Sequence, residues 1–381
     1  MIRVSVTPDL IRWARERSGL TKDTLVKKFP KFLKWESGEE NPTLHQLEDL
    51  AKKTSTPLGY FFLSEPPEEK LPIQDFRTVT GGEVKRPSPD LLETIQTMQR
   101  RQGWMRDYLI EQGEEPLKFV GSSSLDNNPN EVALRIRRVL KLQKGWAQEN
   151  STWEAAFQCL RSETENTGIL VIINGIVGNN THRKLDPNEF RGFVLVDEHA
   201  PLVFINGADG KAAQMFTLAH ELAHIWIGRG GIFNFEQLQP ANEEVEIFCN
   251  KVAAELLVPE QELRRHWSKA SQHRDPFQFL AKIFKVSPLV IARRSLDLAL
   301  LNHQKFFDFY QQYLQDERRQ KAQSSGGDFF VLQNGRVGKR FGAAVIQATK
   351  EGRLLYRDAY RLTGLHGKTF NQYAQSLGFT F

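Results

Sequence analysis

His220–Glu221–Leu222–Ala223–His224 is the stretch of this chain best equipped for chemistry. Histidines at i and i+4 lie one turn apart on one helical face, so both imidazoles can reach a single ion. Glu221 sits beside them, where a carboxylate can take a proton from a water held by that ion. Around these residues, Met215, Phe216, Leu218, Leu222, Ile225 and Trp226 make the segment 211–228 apolar nearly all round. That is the pattern of a buried helix. Burial favours neutral histidine, the form that binds metal. Two buried histidines without a metal would each need other hydrogen-bond partners.

A third ligand has to come from elsewhere. The chain has only two cysteines, Cys159 and Cys249, so a four-cysteine site is out and any metal is held by His and carboxylate. Ile227 and Gly230 stand where the metzincin pattern would put Gly and His, so that subtype is excluded. Downstream, Glu243–Glu244–Val245–Glu246 runs into the apolar Ile247–Phe248–Cys249 and Val252–Ala253–Ala254 through Pro259, a second buried helix with acids at its start. Glu246 lies four residues before Asn250, so both face the same way. Glu246 is the expected third ligand, and Asn250 the group that supports a histidine from behind. Glu243, two turns before Asn250, competes for the role, and Glu244 is a weaker candidate. A solvated helix start complementing the dipole accounts for Glu243 and Glu244 better than for Glu246. Two histidines and one glutamate leave a fourth position open to water, the pattern of catalytic zinc. Zinc lowers the pKa of that water to about 7 and polarises a carbonyl. Glu221 is then the general base, passing its proton on to a leaving amine. The expected reaction is peptide hydrolysis with no covalent intermediate.

The elements that must position these residues are α+β in pattern. Short apolar, β-branched runs at 168–173, 193–196 and 201–205 read as strands. The free edge of the last, just before the 211–228 helix, is expected to pair with an extended substrate. Helices precede the strands at 130–142 and 151–164 and follow them from 211 to about 315. Residues 1–66 read as four short helices: Thr7–Pro8 opens the first, Thr21 the second, the third ends at Gly38, and Pro42–Thr43 opens the fourth. The segment Pro66 to Pro72 is a proline- and charge-rich boundary. Residues 67–128 form a helical connector, 129–300 the zinc domain, and 301–381 a basic, mostly helical region after a break at Ser324–Gly327.

Composition is ordinary for a globular chain: 381 residues, 40% hydrophobic and 25% charged. No apolar run approaches the ~18 residues of a membrane span, and Met1 to Ser5 has no secretory apolar stretch. Two thiols fit a reducing cytoplasm, and the lack of a long apolar run fits no membrane partner. The net charge of +5 is concentrated at the end. From Arg318 onward, eleven Lys/Arg face three acids. Such a segment is a solvated basic surface or a platform for nucleic acid or an acidic protein.

Phe216 to His224, preceded by Arg191–Gly192–Phe193 and Val203–Phe204–Ile205–Asn206, resembles the ImmA/IrrE-type metallo-endopeptidases. So do Glu246…Asn250 with Ala253 to Pro259, and Phe284–Lys285–Val286–Ser287–Pro288. The likeness covers roughly 145–300. It implies a thermolysin-like minimal zincin fold, a small sheet plus the HExxH helix, with zinc on His220, His224 and Glu246 and catalysis by Glu221. It also implies a protein substrate, typically a helix-turn-helix repressor whose cleavage switches on stress or mobile-element genes. It leaves the oxyanion donor unassigned, with His199, His266 and His273 as the histidines to consider.

Residues 1–66 resemble an Xre-type helix-turn-helix through Trp35 to Thr43 and Leu47 to Ala51. Between Leu25 and Glu36 the chain is about four residues shorter than that pattern, at the turn and recognition-helix start where bases are read. Lys27, Lys28, Lys31 and Lys34 keep a basic face that could hold phosphates without reading sequence. A protein-docking or dimerisation module is the alternative. The tail from Leu354 to Phe370 reads as helix, turn, helix, either a second basic binding unit or a bundle packed on the zinc domain. Chains of this composite kind also resemble antitoxin halves of toxin–antitoxin modules, which implies a toxic protein partner. Two functions follow. One is a zinc endopeptidase acting on a regulatory protein. The other is a DNA-binding regulator or antitoxin with a mainly structural or sensory zinc fold. An intact Glu221 favours the first, since a structural site needs no base.

Overall fold

The computed structural model describes residues 3–69, 87–233, 244–315 and 332–380. The expected break at Ser324–Gly327, part of the Pro66–Pro72 boundary, and Glu243 lie outside them. The chain divides into two compact units, Met1–Pro72 with Val79–Thr97, and Ile73–Thr78 with Met98–Phe381.

The first unit is built from α1 (Pro8–Arg17), α2 (Lys22–Lys28), α3 (Phe32–Ser37), α4 (Leu44–Lys53) and a 3₁₀ turn at Leu58–Phe62. The caps follow the sequence signals. Thr21 accepts from the Thr24 amide, and Thr43 with Gln46 closes a capping box. Gly38 ends α3 in the left-handed conformation at φ 81°. Leu10, Trp13, Leu25, Phe32, Trp35, Leu47 and Leu50 form the core. Glu36, buried, accepts from Arg15 Nε at 2.7 Å and faces Lys22 Nζ at 3.0 Å, tying α1, α2 and α3 together. With Phe32, Trp35 and Glu36 turned inward, the six residues of α3 offer outward only Leu33, Lys34 and Ser37.

Helix α5 (Pro89–Glu111) leads into the second unit. This holds α6 (Pro129–Val139), α7 (Trp153–Asn166), β1 (Leu170–Asn174), β2 (Ile176–Val177), β3 (Asn180–Lys184), β4 (Gly192–Leu195), β5 (Leu202–Asn206), α8 (Lys211–Ile227) and β6 (Gly231–Phe233). Next come α9 (Glu244–Leu257), α10 (Glu260–Ala270), α11 (Pro276–Phe284), α12 (Pro288–Asp297) and α13 (His303–Gln315). The last three are α14 (Lys339–Lys350), α15 (Tyr356–Thr363) and α16 (Gly367–Ser376). The fold is therefore α+β, mostly helical, with a four-stranded sheet in the order β1-β5-β4-β6 and a β2–β3 ribbon. No described helix is long and apolar enough to cross a membrane.

The sheet corrects one expectation. β5 has no free edge: it pairs parallel with β1 and antiparallel with β4. All five of its residues are buried, as a strand covered on both faces requires. The substrate-pairing role expected of that edge is therefore ruled out. Its α8-side neighbours Leu218 and Leu222 share a core with Val194 and Val203. Strand β6, which the sequence pattern did not reveal, pairs with β4 on the opposite side from β5.

The C-terminal region packs against β1 within the same unit. A Cβ on Gly335 would lie 3.1 Å from the Ile173 carbonyl oxygen, so the backbones approach closely enough that a side chain would force a shift of a few tenths of an ångström. Two buried guanidiniums hold it there. Arg161 donates to Asn334 O at 2.6 Å. Arg101 donates to Arg336 O at 2.7 Å and Leu362 O at 2.9 Å. Burial pulls the Arg101 guanidinium down to about 10.

Candidate metal centre

Helix α8 carries the histidines. It starts at Gly210 and is steadied by Gln214, whose amide donates to Asp209 O at 2.7 Å. It ends at Gly228, left-handed at φ 69°, where any Cβ would also meet Gly121 Cα at 3.1 Å. That turn folds Arg229 back over His224. The Arg229 amide donates to His224 O at 3.1 Å, and the Arg229 carbonyl lies 3.1 Å from His224 Nδ1. Helix α9 packs beside α8 and supplies Glu246 and, one turn on, Asn250. Asn250 Oδ1 lies 3.1 Å from His220 Nδ1.

These anchors fix the tautomers by chemistry. A backbone carbonyl only accepts, so His224 Nδ1 carries the proton that Arg229 O receives. The same holds for His220 against Asn250 Oδ1. In neutral imidazoles both Nε2 atoms then present lone pairs. They lie 3.0 Å apart. Glu246 Oε2 is 3.2 Å from His220 Nε2, and Oε1 is 3.1 Å from His224 Nε2. Neither Glu246 oxygen accepts a hydrogen bond, as expected when the neighbouring nitrogens have no proton to give. Three buried lone-pair donors thus converge on one point, which without a cation is repulsive.

The arrangement fits a metal ion. His220, His224 and Glu246 each offer one ligand atom, and these atoms all lie within 4.8 Å of one another. Around a tetrahedral zinc with ligands at about 2.0–2.1 Å, neighbouring donors sit about 3.3 Å apart. The observed 3.0–3.2 Å is close to that spacing. The competitor Glu244 is exposed at the start of α9 and outside the group. His266 packs edge-on to Phe284 and His273 stacks on Phe279. His199 belongs to a turn capped by Asp197. None of the three joins the cluster among the described residues.

Glu221 is fully buried, and both its oxygens lack a hydrogen-bond partner. Burial, reinforced by the Glu246 charge, pushes its carboxyl well above the ordinary range. Burial would raise Glu246 too, but with the imidazoles of His220 and His224 protonated their charge and hydrogen bonds would hold that carboxyl down to about 2. Burial lowers His220, against the pull of Glu246. So the two carboxylates, on adjacent helices, are driven apart in acidity, a pattern typical of reactive sites.

One neighbour escaped sequence reasoning as a site residue. Gly192 of β4 lies flat against Glu221. A Cβ there would stand 3.1 Å from Glu221 Oε1 and 2.6 Å from Thr217 Cγ2. The Arg191–Gly192–Phe193 motif was the signal, since a glycine inside a strand marks a close approach.

Lys27, Lys28, Lys31 and Lys34 are all exposed on the first unit. Lys31 is engaged by Glu40 at 2.7 Å, while Lys28 lies over the Phe29 ring.

Residues 164–296 match the family model of the IrrE N-terminal-like domain, a zinc metallopeptidase family. Residues 337–376 match that of a domain of unknown function. No curated protein and no solved structure matches the chain.

Proposed function

We propose that this chain is a zinc-dependent endopeptidase that cleaves a regulatory protein, with His220, His224 and Glu246 as metal ligands and Glu221 as the catalytic base. The observation that carries the reading is the buried Glu221 carboxyl, unpartnered beside three converging donors. A structural metal site has no use for it, and burying it without a hydrogen bond is costly. Zinc, when bound, supplies an acidified water and a polarised carbonyl. Glu221 takes the proton from the attacking water on a carboxylate oxygen and hands it to the leaving amine. Asn250 and the Arg229 carbonyl hold the two imidazoles in the tautomer that leaves Nε2 free for the ion. Two free cysteines support work in a reducing compartment.

The test has two parts. Metal analysis is expected to find one zinc per chain, lost in His224→Ala and Glu246→Ala. Glu221→Gln is expected to keep zinc yet lose about 10²–10⁴-fold of the cleavage of a proteome-derived peptide library, read by mass spectrometry. Wild type that binds no zinc after reconstitution sinks the reading. So does Glu221→Gln with full activity.

A second reading concerns the first unit. Lys27, Lys28 and Lys34 are exposed and near one another in sequence, which suits contact with phosphates without base readout. The six-residue α3 leaves little surface for a recognition helix. Sequence-independent binding whose strength falls steeply with salt is the expected behaviour.

A further inference from the structure

The C-terminal three helices carry a surface the peptidase reading does not use. Helix α15 ends at Thr363, Gly364 turns left-handed at φ 72°, and α16 begins at Gly367. The three residues between them make a short, glycine-containing turn of the length that joins the helices of a helix–turn–helix. Their inner faces are closed. Ala359, Thr363, Leu365, Phe370, Tyr373 and Ala374 are buried. The rings of Tyr360 and Phe370 lie 5.3 Å apart, and those of Tyr356 and Phe370 6.3 Å. Helix α14 packs against both, with Gly342 close against the Tyr373 ring. Arg101 grips the end of α15 through Leu362 O, and Asn179 Nδ2 donates to Gly364 O at 2.8 Å. The unit is therefore a fixed platform on the rest of its domain.

Its outer face is polar in a particular way. On α16, Lys368, Asn371, Gln372 and Gln375 are exposed at i, i+3, i+4 and i+7, one stripe down the helix. No Asp or Glu occurs after Asp358. Arg357 and Arg361 are exposed one turn apart on α15. A solvated helix face normally mixes charges of both signs. Apart from Asp358, which lies 3.5 Å from Arg357 Nε, this one combines amides, which form two-point bonds to adenine, with cations for guanine and phosphate. An α-helix with its side chains is about 10–12 Å across, which fits a major groove about 12 Å wide.

From the exposed amide stripe on a short helix–turn–helix, we infer that α16 enters the major groove of double-stranded DNA while Arg357 and Arg361 of α15 hold the backbone. Lys368, Asn371 and Gln372, at the start of the second helix, are the base-reading positions. An RNA duplex is disfavoured because its major groove is too deep and narrow for side chains to read. An acidic protein would need the cations but not the amides.

The test uses the full chain and a pool of DNA duplexes with a randomised centre, selected by binding and sequenced. Wild type is expected to enrich a defined sequence. Asn371→Ala and Gln372→Ala lie on the exposed surface and should leave the melting temperature unchanged. Each should weaken the enriched duplex about 10–100-fold and relax the selected sequence. Arg357→Ala and Arg361→Ala should weaken all duplexes, each lowering the slope of log affinity against log salt by about one. The triple variant Lys27→Ala/Lys28→Ala/Lys34→Ala, in the other unit, should enrich the same sequence. No enriched sequence overturns the inference. So does enrichment that Asn371→Ala and Gln372→Ala leave intact, or binding to single-stranded RNA equal to that of the selected duplex.

Discussion

Replacing Gly192 with alanine puts one methyl group into the tightest part of the metal centre. The new Cβ would stand 2.6 Å from Thr217 Cγ2, 2.9 Å from the Phe204 carbonyl oxygen and 3.1 Å from Glu221 Oε1. Phe204 O belongs to the paired strand β5 and cannot retreat without breaking register. Thr217 is held by its hydroxyl, which donates to Ala213 O at 3.0 Å. The strain therefore falls on the Thr217 methyl and the Glu221 carboxyl. Overpacking of this kind costs about 1–3 kcal/mol, which lowers the melting temperature of a domain this size by roughly 2–10 °C. Misplacement of a catalytic group by about 1 Å costs about 10²-fold, so a smaller shift of the base is expected to lower kcat by up to about that factor. Metal content should stay at the wild-type level, because no ligand of the His220, His224, Glu246 group is touched. The discriminating variant is Gly192→Ala/Thr217→Ser. Serine keeps the bond to Ala213 O and removes Cγ2 but not the approach to Phe204 O, so the melting temperature should recover in part while activity stays low. Calorimetry, elemental analysis and peptide cleavage on the three proteins decide the matter. Wild-type activity and melting in Gly192→Ala would refute the idea that this glycine seats Glu221. Loss of zinc would show that the damage is not local to the base.

Three further outcomes are expected. Asn250→Ala should weaken zinc about 10–100-fold by releasing His220, measured by competition with a chelator, and unchanged affinity would show that α8 alone orients the ring. Arg101→Ala leaves the carbonyls of Arg336 and Leu362 without their donor, at about 1–3 kcal/mol each, so hydrogen exchange should quicken across 332–380 and not across α8. Glu36 is held below its ordinary range: burial opposes this, but the hydrogen bonds and charges of Arg15 and Lys22 prevail. A carboxyl lowered on folding stabilises above its unfolded value near 4.5 and loses that contribution as pH falls through the lowered folded value. The first unit should therefore lose stability on acidification through this range, and Glu36→Gln should flatten that limb of a melting-temperature profile. An equally steep limb in the variant would assign the acid sensitivity to other carboxyls.

Much of this was legible because the relevant signals are local. The i, i+4 spacing in α8, the caps at Thr21 and Thr43, and the β-branched runs of β1, β4 and β5 each depend on a few neighbouring residues. The sequence also separated Glu246 from Glu244, since one helical turn links the former to Asn250 and the apolar face of α9. Less legible were features that depend on who neighbours whom. The pattern Pro201 to Ile205 marks a strand but not its partners, and only the sheet order shows β5 enclosed by β1 and β4. β6 has three residues, too few for a period-two pattern to stand out.

Arg101 illustrates the harder case. In sequence it is one of two adjacent arginines in a charged helix, and the ordinary expectation is solvent. It is buried because the chain returns more than two hundred residues later with carbonyls at Arg336 and Leu362 that need donors. A guanidinium offers several donors in a fixed fork, so one side chain can satisfy both. The same contact changes the meaning of the basic tail. The guanidiniums that hold the tail to the fold, Arg101 and Arg161, come from outside it, while the tail's own Arg357 and Arg361 face solvent. Both are exposed, Arg357 with Asp358 3.5 Å from its Nε. That division, which net charge cannot reveal, is what makes a DNA-binding assay on α15 and α16 variants informative rather than a measure of general basicity.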